Sequence, residues 1–281
     1  MPASARRRRP FLDVDRPVLF AHRGGAKLWP ENTLAAFRGA LELGVRFLET
    51  DLHATRDGVL VVSHDDRIDR TTDGTGRLRD YRYADLARFD AGYRFTADGG
   101  RTYPFRGKGL RIPTLEEVFA LSGEARVNVE IKPRERAVAK ALWEFVDQRA
   151  LHERILVASH DEAQLRRFRK YSSGRVATGA SFGEVLRFWT AARLRADRFL
   201  PTAFDALQVP TTHAGLTIVD REFVRAAHRR GVQVHVWTID DPHEMRRLLN
   251  LDVDGLMSDR PDRFGALHRR TEPDSVRPMP F

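Results

Sequence analysis

Glu49 and Asp51 stand two positions apart in the run 46–52, and Glu130 and Lys132 stand two apart around the end of the run 127–131. Side chains two apart on a strand point the same way. Three carboxylates brought together repel one another unless a cation lies among them. With no His or Cys in the set, the oxygen donors favour one hard divalent ion, Mg2+ or Ca2+. His22 follows the apolar run 18–21 and His64 follows the run 59–63, which places both beside the acidic group. Imidazole titrates near neutral pH, so this pair suits general acid and general base work. Arg23 offers a planar fork for phosphate oxygens, and Lys132 offers a point charge. A divalent ion, two cationic side chains and two imidazoles form a site for a phosphodiester anion.

These residues lie far apart in the chain, so a frame must bring strand ends together. Short apolar runs that read as strands occur at 18–21, 46–52, 59–63, 127–131, 155–159, 176–179, 206–209, 232–238 and 253–257. Amphipathic segments between them predict helices at 33–43, from Pro113 onward, and at 134–148, 162–171, 182–195, 221–230 and 242–250. Asn32 reads as the N-cap of the first helix and Gly44 as its stop. Alternating strands and helices imply parallel strands joined by right-handed crossovers. About eight such units in this length predict an α/β fold, a (β/α)8 TIM barrel. No G-x-G-x-x-G follows the first strand, which argues against an open doubly wound sheet. The stretch 65–112 breaks the alternation and reads as a small inserted subdomain after the second strand. The expected organisation is a basic N-terminal tail at 1–16, the barrel at 17–268 and a C-terminal tail at 269–281.

Composition narrows the classes further. Hydrophobic types make up 42% and charged types 31% of the 281 residues, enough apolar material for a sizeable core. Cys is absent, which excludes disulfides, thiolate metal sites and a cysteine nucleophile. The formal net charge is +9, and nearly all of the basic residues are Arg. That balance suits an acidic lipid surface or nucleic acid, but it equally suits Arg spread over solvated faces. Arg6 to Arg9 looks like the start of a twin-arginine leader, yet the continuation Asp13-Val14-Asp15-Arg16-Pro17 lacks the apolar stretch such a leader needs. The expected location is therefore cytoplasmic.

The motifs His22-Arg23-Gly24-Gly25, Pro30-Glu31-Asn32-Thr33, Glu49-Thr50-Asp51, 58–65 ending His64-Asp65, Glu130-Ile131-Lys132 and Val236-Trp237-Thr238 occur in that order. Together they resemble the glycerophosphodiester phosphodiesterase family over nearly the whole chain. Asp73-Gly74-Thr75-Gly76 and Ile112-Pro113-Thr114-Leu115 resemble the borders of that family's insertion. The resemblance implies metal-dependent hydrolysis of a glycerophosphodiester to glycerol 3-phosphate and an alcohol. It implies Glu49, Asp51 and Glu130 as metal ligands, and His22 and His64 as the acid–base pair. It implies Arg23 and Lys132 on the phosphate, and Trp237 lining the pocket. Two positions depart from the pattern. His160 stands where an aromatic is commoner, and alternation from Ser159 predicts that it points outward. Asp240 stands where Asn is commoner, and a capping role is expected of it.

The substrate is expected to be a small phosphodiester such as glycerophosphocholine or glycerophosphoethanolamine. The segment 182–200, with Leu186, Phe188, Trp189 and Leu194 among several Arg, suits either barrel packing or contact with an anionic membrane. The membrane reading implies a lysophospholipase D that releases lysophosphatidic acid. A non-catalytic basic protein that binds acidic lipid or nucleic acid is a rival from another class, but the intact acid–base and metal positions argue against it, and no nucleic acid is expected. A sugar-processing barrel has no need of Arg23 and Lys132 beside its carboxylates. The choice of metal, the head group, the roles within the His pair and the oligomeric state stay open at this level.

Overall fold

The computed structural model describes residues 9–132 and 136–268. Among the described residues eleven strands run in the order β1 Val18–Ala21, β2 Phe47–Ala54, β3 Leu60–Val62, β4 Arg126–Ile131, β5 Ile155–Ala158, β6 Ala177–Thr178, β7 Ala206–Val209, β8 Thr212–His213, β9 Leu216–Thr217, β10 Gln233–Val236 and β11 Gly255–Ser258. The helices are α1 Leu34–Glu42, α2 Tyr83–Leu86, α3 Leu115–Ser122, α4 Arg136–Gln148, α5 Glu162–Ser172, α6 Phe182–Arg193, α7 Arg221–Arg229, α8 Pro242–Leu249 and α9 Gly265–His268.

Eight strands pair in parallel in the order β6-β5-β4-β2-β1-β11-β10-β7. A parallel bridge between Gly179 and Ala206 joins the two ends of that row, and Ala180 N donates to Ala206 O at 2.9 Å. The sheet is thus closed, and the fold is a (β/α)8 barrel. β3 folds back antiparallel on the end of β2, pairing Leu52 with Val62. The short β8–β9 hairpin stands apart from the barrel.

Period-two alternation sorts each strand into two layers. Leu48 and Leu52, Val127 and Val129, and Val234 and Val236 pack outward into the large core shared with the helices. Phe20, Phe47, Leu156, Ala158, Ala206 and Met257 belong to a second cluster within the barrel. Following the inward layer along each strand leads to the mouth: Phe20 to His22, Phe47 to Glu49 and Asp51, Ala158 to His160, and Met257 to Asp259.

Several helices open on polar capping residues. Thr114 and Glu117 form a capping box, with Thr114 Oγ1 accepting from Glu117 N at 3.1 Å and Thr114 N donating to Glu117 Oε2 at 2.9 Å. The N-cap of α1 is Thr33, one residue later than expected. Asn32 instead adopts a left-handed backbone (φ 55°) and is taken up by the site.

Part of the expected N-terminal tail is built into the barrel floor. Phe11 is fully buried, its ring edge-on to Phe47 at 5.8 Å. Arg9 donates to Asp205 Oδ1 at 3.1 Å, and Gln233 Nε2 donates to Leu12 O at 3.0 Å. Residues 65–112 carry one 3-10 turn and the one-turn α2, around a small cluster of Ile68, Leu78, Leu86, Ala91 and Ile112 that leans on Val61 of β3. Residues 1–8 and 269–281, where a basic tail and a C-terminal tail are expected, lie outside the described residues. Among the described residues no helix is long and apolar enough to cross a membrane.

Candidate active site

The carboxyl ends of the strands open into a cavity of about 440 Å³. Glu49, Asp51 and Glu130 meet on one side of it, each offering a carboxylate oxygen within 4.8 Å of the others. The pairing register places them: Asp51 lies opposite Glu130, and Glu49 lies opposite Asn128, on neighbouring strands with the same inward parity.

Their electrostatics are uneven. Glu49 is buried, and its carboxyl is pushed up to about 7, first by loss of water and then by the charge of Asp51. Asp51 is equally buried, but Lys132 and Arg23 outweigh that burial and hold it below the usual carboxylate range. Lys132 Nζ lies 3.0 Å from Asp51 Oδ1 and donates to Glu130 Oε2 at 2.8 Å. Asn32 Nδ2 donates to Asp51 Oδ2 at 3.1 Å, while Thr50 Oγ1 donates to Asn32 Oδ1 at 2.7 Å. Asn32 thus fixes the orientation of one acidic group in place of capping a helix.

Two buried oxygens in this corner, Asn128 Oδ1 and Glu130 Oε1, have no hydrogen-bond partner among the described residues. Orphaned acceptors of this kind are costly and rare. Beside three clustered carboxylates, they fit a hard divalent cation as the missing partner. Asn128 is absent from the set read from sequence, although its period-two spacing to Glu130 and Lys132 puts it in the same inward row.

The two imidazoles are held alike. His22 Nδ1 donates to Asp259 Oδ1 at 2.7 Å, which leaves Nε2 on the cavity side, 3.8 Å from Glu49 Oε2. Burial works against charge on His22, but Asp259 and Glu49 prevail and raise its pKa. His64 Nδ1 donates to Asp65 Oδ1 at 2.7 Å, and Asp65 also accepts from Arg70 Nε. Asp259 is itself set by Asp240, whose Oδ1 accepts from Asp259 N at 2.9 Å and from Ser258 Oγ at 2.7 Å. Asp240 therefore shapes this turn, and Asp241 caps α8.

Arg23 reaches the site through a strained turn. Its backbone is left-handed (φ 51°), and its N–H donates to Glu49 Oε2 at 3.0 Å. Its guanidinium lies between Glu31 and Asp51, with Nη1 donating to Glu31 Oε1 at 3.2 Å. The next residue must be Gly: Gly24 has φ 81°, and a Cβ there would come within 2.7 Å of Ala36 Cβ.

His160 faces the mouth, contrary to expectation. The inward layer of β5 is Leu156 and Ala158, so parity carries it inward. Its ring stands edge-on to Trp237 at 6.3 Å, and Nε2 lies 3.6 Å from Glu130 Oε1, beyond hydrogen-bond reach. Trp237 borders the cavity and packs on the inner barrel cluster.

The remaining wall is largely hydrocarbon. Val185, Leu186 and Trp189 of α6 face Val209, Pro210 and Ile218 across it. Phe182 and Leu216 complete its rim.

A closed (β/α)8 barrel with an acidic cluster, paired cations and two carboxylate-anchored imidazoles at its carboxyl rim defines a hydrolase built for phosphate esters. The comparisons carry this further. The model of the glycerophosphoryl diester phosphodiesterase family matches residues 22–263, and the chain belongs to that family of phosphoric diester hydrolases. The glycerophosphodiester phosphodiesterase of Caldanaerobacter subterraneus is 33% identical over 265 residues, covering 91% of this chain and 99% of its own. An Oleispira antarctica phosphodiesterase, solved with the product sn-glycerol-3-phosphate, superposes with a TM-score of 0.70 at 26% identity, over 89% of this chain and 96% of that one. A glycerophosphoryl diester phosphodiesterase domain from Mycobacterium tuberculosis reaches a TM-score of 0.79 at 19% identity, over 90% and 99% of the two chains, a likeness of fold.

Proposed function

We propose that this protein hydrolyses small glycerophosphodiesters, such as glycerophosphocholine or glycerophosphoethanolamine, to glycerol 3-phosphate and an alcohol, with one divalent cation and with His22 and His64 as the acid–base pair. The observation that carries this reading is the anchoring of both imidazoles through Nδ1 by a carboxylate at 2.7 Å, beside the cluster of Glu49, Asp51 and Glu130. The oxygens of Glu49, Asp51 and Glu130, with Asn128 Oδ1 in reserve, would hold the cation. Bound there, Mg2+ or Ca2+ supplies Lewis-acid neutralisation of the phosphoryl oxygens.

The chain's own groups do the rest. Arg23 and Lys132 draw the phosphodiester anion into the polar corner. One imidazole withdraws the proton from the attacking hydroxyl as the new P–O bond forms; that hydroxyl comes from water, or from the substrate's own glycerol, in which case the product is a cyclic phosphate that a water then opens to glycerol 3-phosphate. The other gives its proton to the departing alkoxide as the old P–O bond breaks. Asp259 and Asp65 fix the tautomers, so that each Nε2 faces the reacting atoms. Trp237 closes the side of the pocket nearest His160.

The test is turnover of glycerophosphocholine and glycerophosphoethanolamine by purified protein with Mg2+, Ca2+ or chelator, with the phosphate-bearing product identified. Glycerol 3-phosphate formed only with metal is the expected result. Undiminished turnover in chelator overturns the metal role, and silence in both metals overturns the catalytic reading.

A further inference from the structure

We propose that α6, the turn that follows it and the β8–β9 hairpin form a docking face for an anionic lipid bilayer, on which the enzyme rests peripherally. The docking goes beyond the reaction proposed above and does not depend on which diester is cleaved.

Among the described residues, the five most exposed large hydrophobic side chains gather in this one region. Phe182, Leu186 and Leu194 on or next to α6 are 52%, 54% and 73% exposed, Phe199 in the following turn is 74% exposed, and Leu216 of the hairpin is 54% exposed. Phe182, Leu186 and Leu194 recur at steps of four and eight, which keeps them on one side of the helix. The hairpin is tied to that helix: Trp189 Nε1 donates to Thr217 O at 3.2 Å, and Arg193 Nη2 donates to the same oxygen at 3.1 Å. The ring of Phe182 stands edge-on to His213 at 5.7 Å. Single exposed hydrophobics need no explanation, but a gathering of the most exposed ones marks an interaction surface.

The exposed charges of α6 and its turn have one sign. Arg187, Arg193, Arg195 and Arg198 are all exposed. The two acidic residues of the segment 182–199 are withdrawn, Glu184 buried against Arg169 and Asp197 buried against Arg229. Two further carboxylates are already paired, Glu162 with Arg187 at 3.0 Å and Asp220 with Arg193. The guanidinium of Arg193 lies over the Trp189 ring at 5.0 Å, and that of Arg198 over Phe199 at 4.7 Å. Cation and hydrocarbon are thus interleaved, so the rings can enter the acyl boundary while the guanidinium groups stay at the phosphates.

The same mixture selects the occupant. A second copy of the chain meeting this face about a twofold axis would set Arg against Arg. Nucleic acid would satisfy the guanidinium groups but leave Leu186 and Leu194 in water. An anionic bilayer satisfies both at once. The formal net charge of +9 adds long-range attraction to the same partner.

The test is co-sedimentation of the purified protein with phosphatidylcholine vesicles, with and without phosphatidylglycerol. Capture by the mixed vesicles and little by phosphatidylcholine alone is expected, weakening as salt rises. Leu194→Ser and Phe199→Ser should each lower the affinity by about tenfold. Arg195→Gln combined with Arg198→Gln should lower it by about 25-fold, at roughly fivefold per cation. All four positions lie outside the cavity lining, so each variant should turn over glycerophosphocholine in solution at the parent rate. Vesicle capture that survives these variants would assign the attraction to net charge or to the run Arg6–Arg9, and would overturn the docking face. Absence of capture by the anionic vesicles would overturn it as well, whether light scattering then shows a dimer that Leu194→Ser dissolves or duplex DNA is bound instead. No turnover by the parent, with vesicle capture intact, would overturn the catalytic reading and leave the docking face standing.

Discussion

His22 and Asp259 come from opposite ends of the chain, yet Nδ1 of one donates to Oδ1 of the other at 2.7 Å. The bond fixes which imidazole nitrogen faces the cavity. Asp259→Asn keeps the size of the partner but removes its charge and offers a competing donor. Turnover should fall by about ten- to a hundredfold with KM little changed. His22→Ala should cost about 10²–10⁴. Steady-state kinetics on one diester checks both, and an Asp259→Asn enzyme with unaltered kcat would remove Asp259 from the positioning of His22.

Metal dependence should track the acidic corner. Glu49→Gln removes one of three converging carboxylates, and Asn128→Ala removes an orphaned oxygen. Both variants should need more Mg2+ or Ca2+ for half-maximal activity, Glu49→Gln by the larger factor, while circular dichroism stays unchanged. A metal titration of Asn128→Ala that overlays the parent would show that Asn128 Oδ1 is no ligand.

Asn32 separates backbone from side-chain effects. Its φ of 55° suits Gly, and its amide bridges Asp51 and Thr50. Asn32→Gly should stay folded and lose activity by about ten- to a hundredfold, because Asp51 is no longer oriented. Asn32→Ala should lose the same activity and melt lower than Asn32→Gly. Equal melting temperatures for the two would mean that the left-handed turn costs Ala nothing here.

Stability should fall on mild acidification through His235, which is fully buried and depressed to about 4 by loss of water. Between about 6.5 and 4, the unfolded chain binds a proton that the native chain refuses, so stability drops as pH falls through that window. The loss from this group between pH 7 and 5 is roughly 2 kcal/mol. His228 acts in the opposite sense: Asp254, 2.8 Å away, raises its pKa, so its contribution is present in acid and fades as pH rises. Urea unfolding at the two pH values should show a smaller acid loss in His235→Gln and a larger one in His228→Gln. Parallel behaviour of the two variants would contradict this assignment.

The barrel was legible because its strands are short β-branched and aromatic runs between amphipathic helices. The convergence of Glu49, Asp51, Glu130 and Lys132 on the cavity was legible because E-x-D and E-x-K at strand ends keep an inward parity. Asn128 was missed although it shares that parity, since a lone amide two positions before Glu130 carries no charge signal. His160 was read outward because alternation was counted from Ser159, whereas the inward layer runs through Leu156 and Ala158. Asp259 follows Met257 by the same rule, but its partner His22 lies too far away in sequence for spacing to reveal. The β8–β9 hairpin escaped notice because strands of two residues show no periodicity.

The first strand of the barrel finds one of its two neighbours only at the other end of the chain, where Val18 pairs with Gly255 and Ala21 with Ser258. During synthesis β1 is therefore an open edge until β11 has left the ribosome, and the ring cannot close before then. Contacts of such long sequence separation slow folding and lengthen exposure to aggregation. A fragment that stops short of residue 255 should behave as a sticky intermediate rather than as a smaller enzyme, so premature termination would yield a substrate for chaperones and proteases and no partial activity.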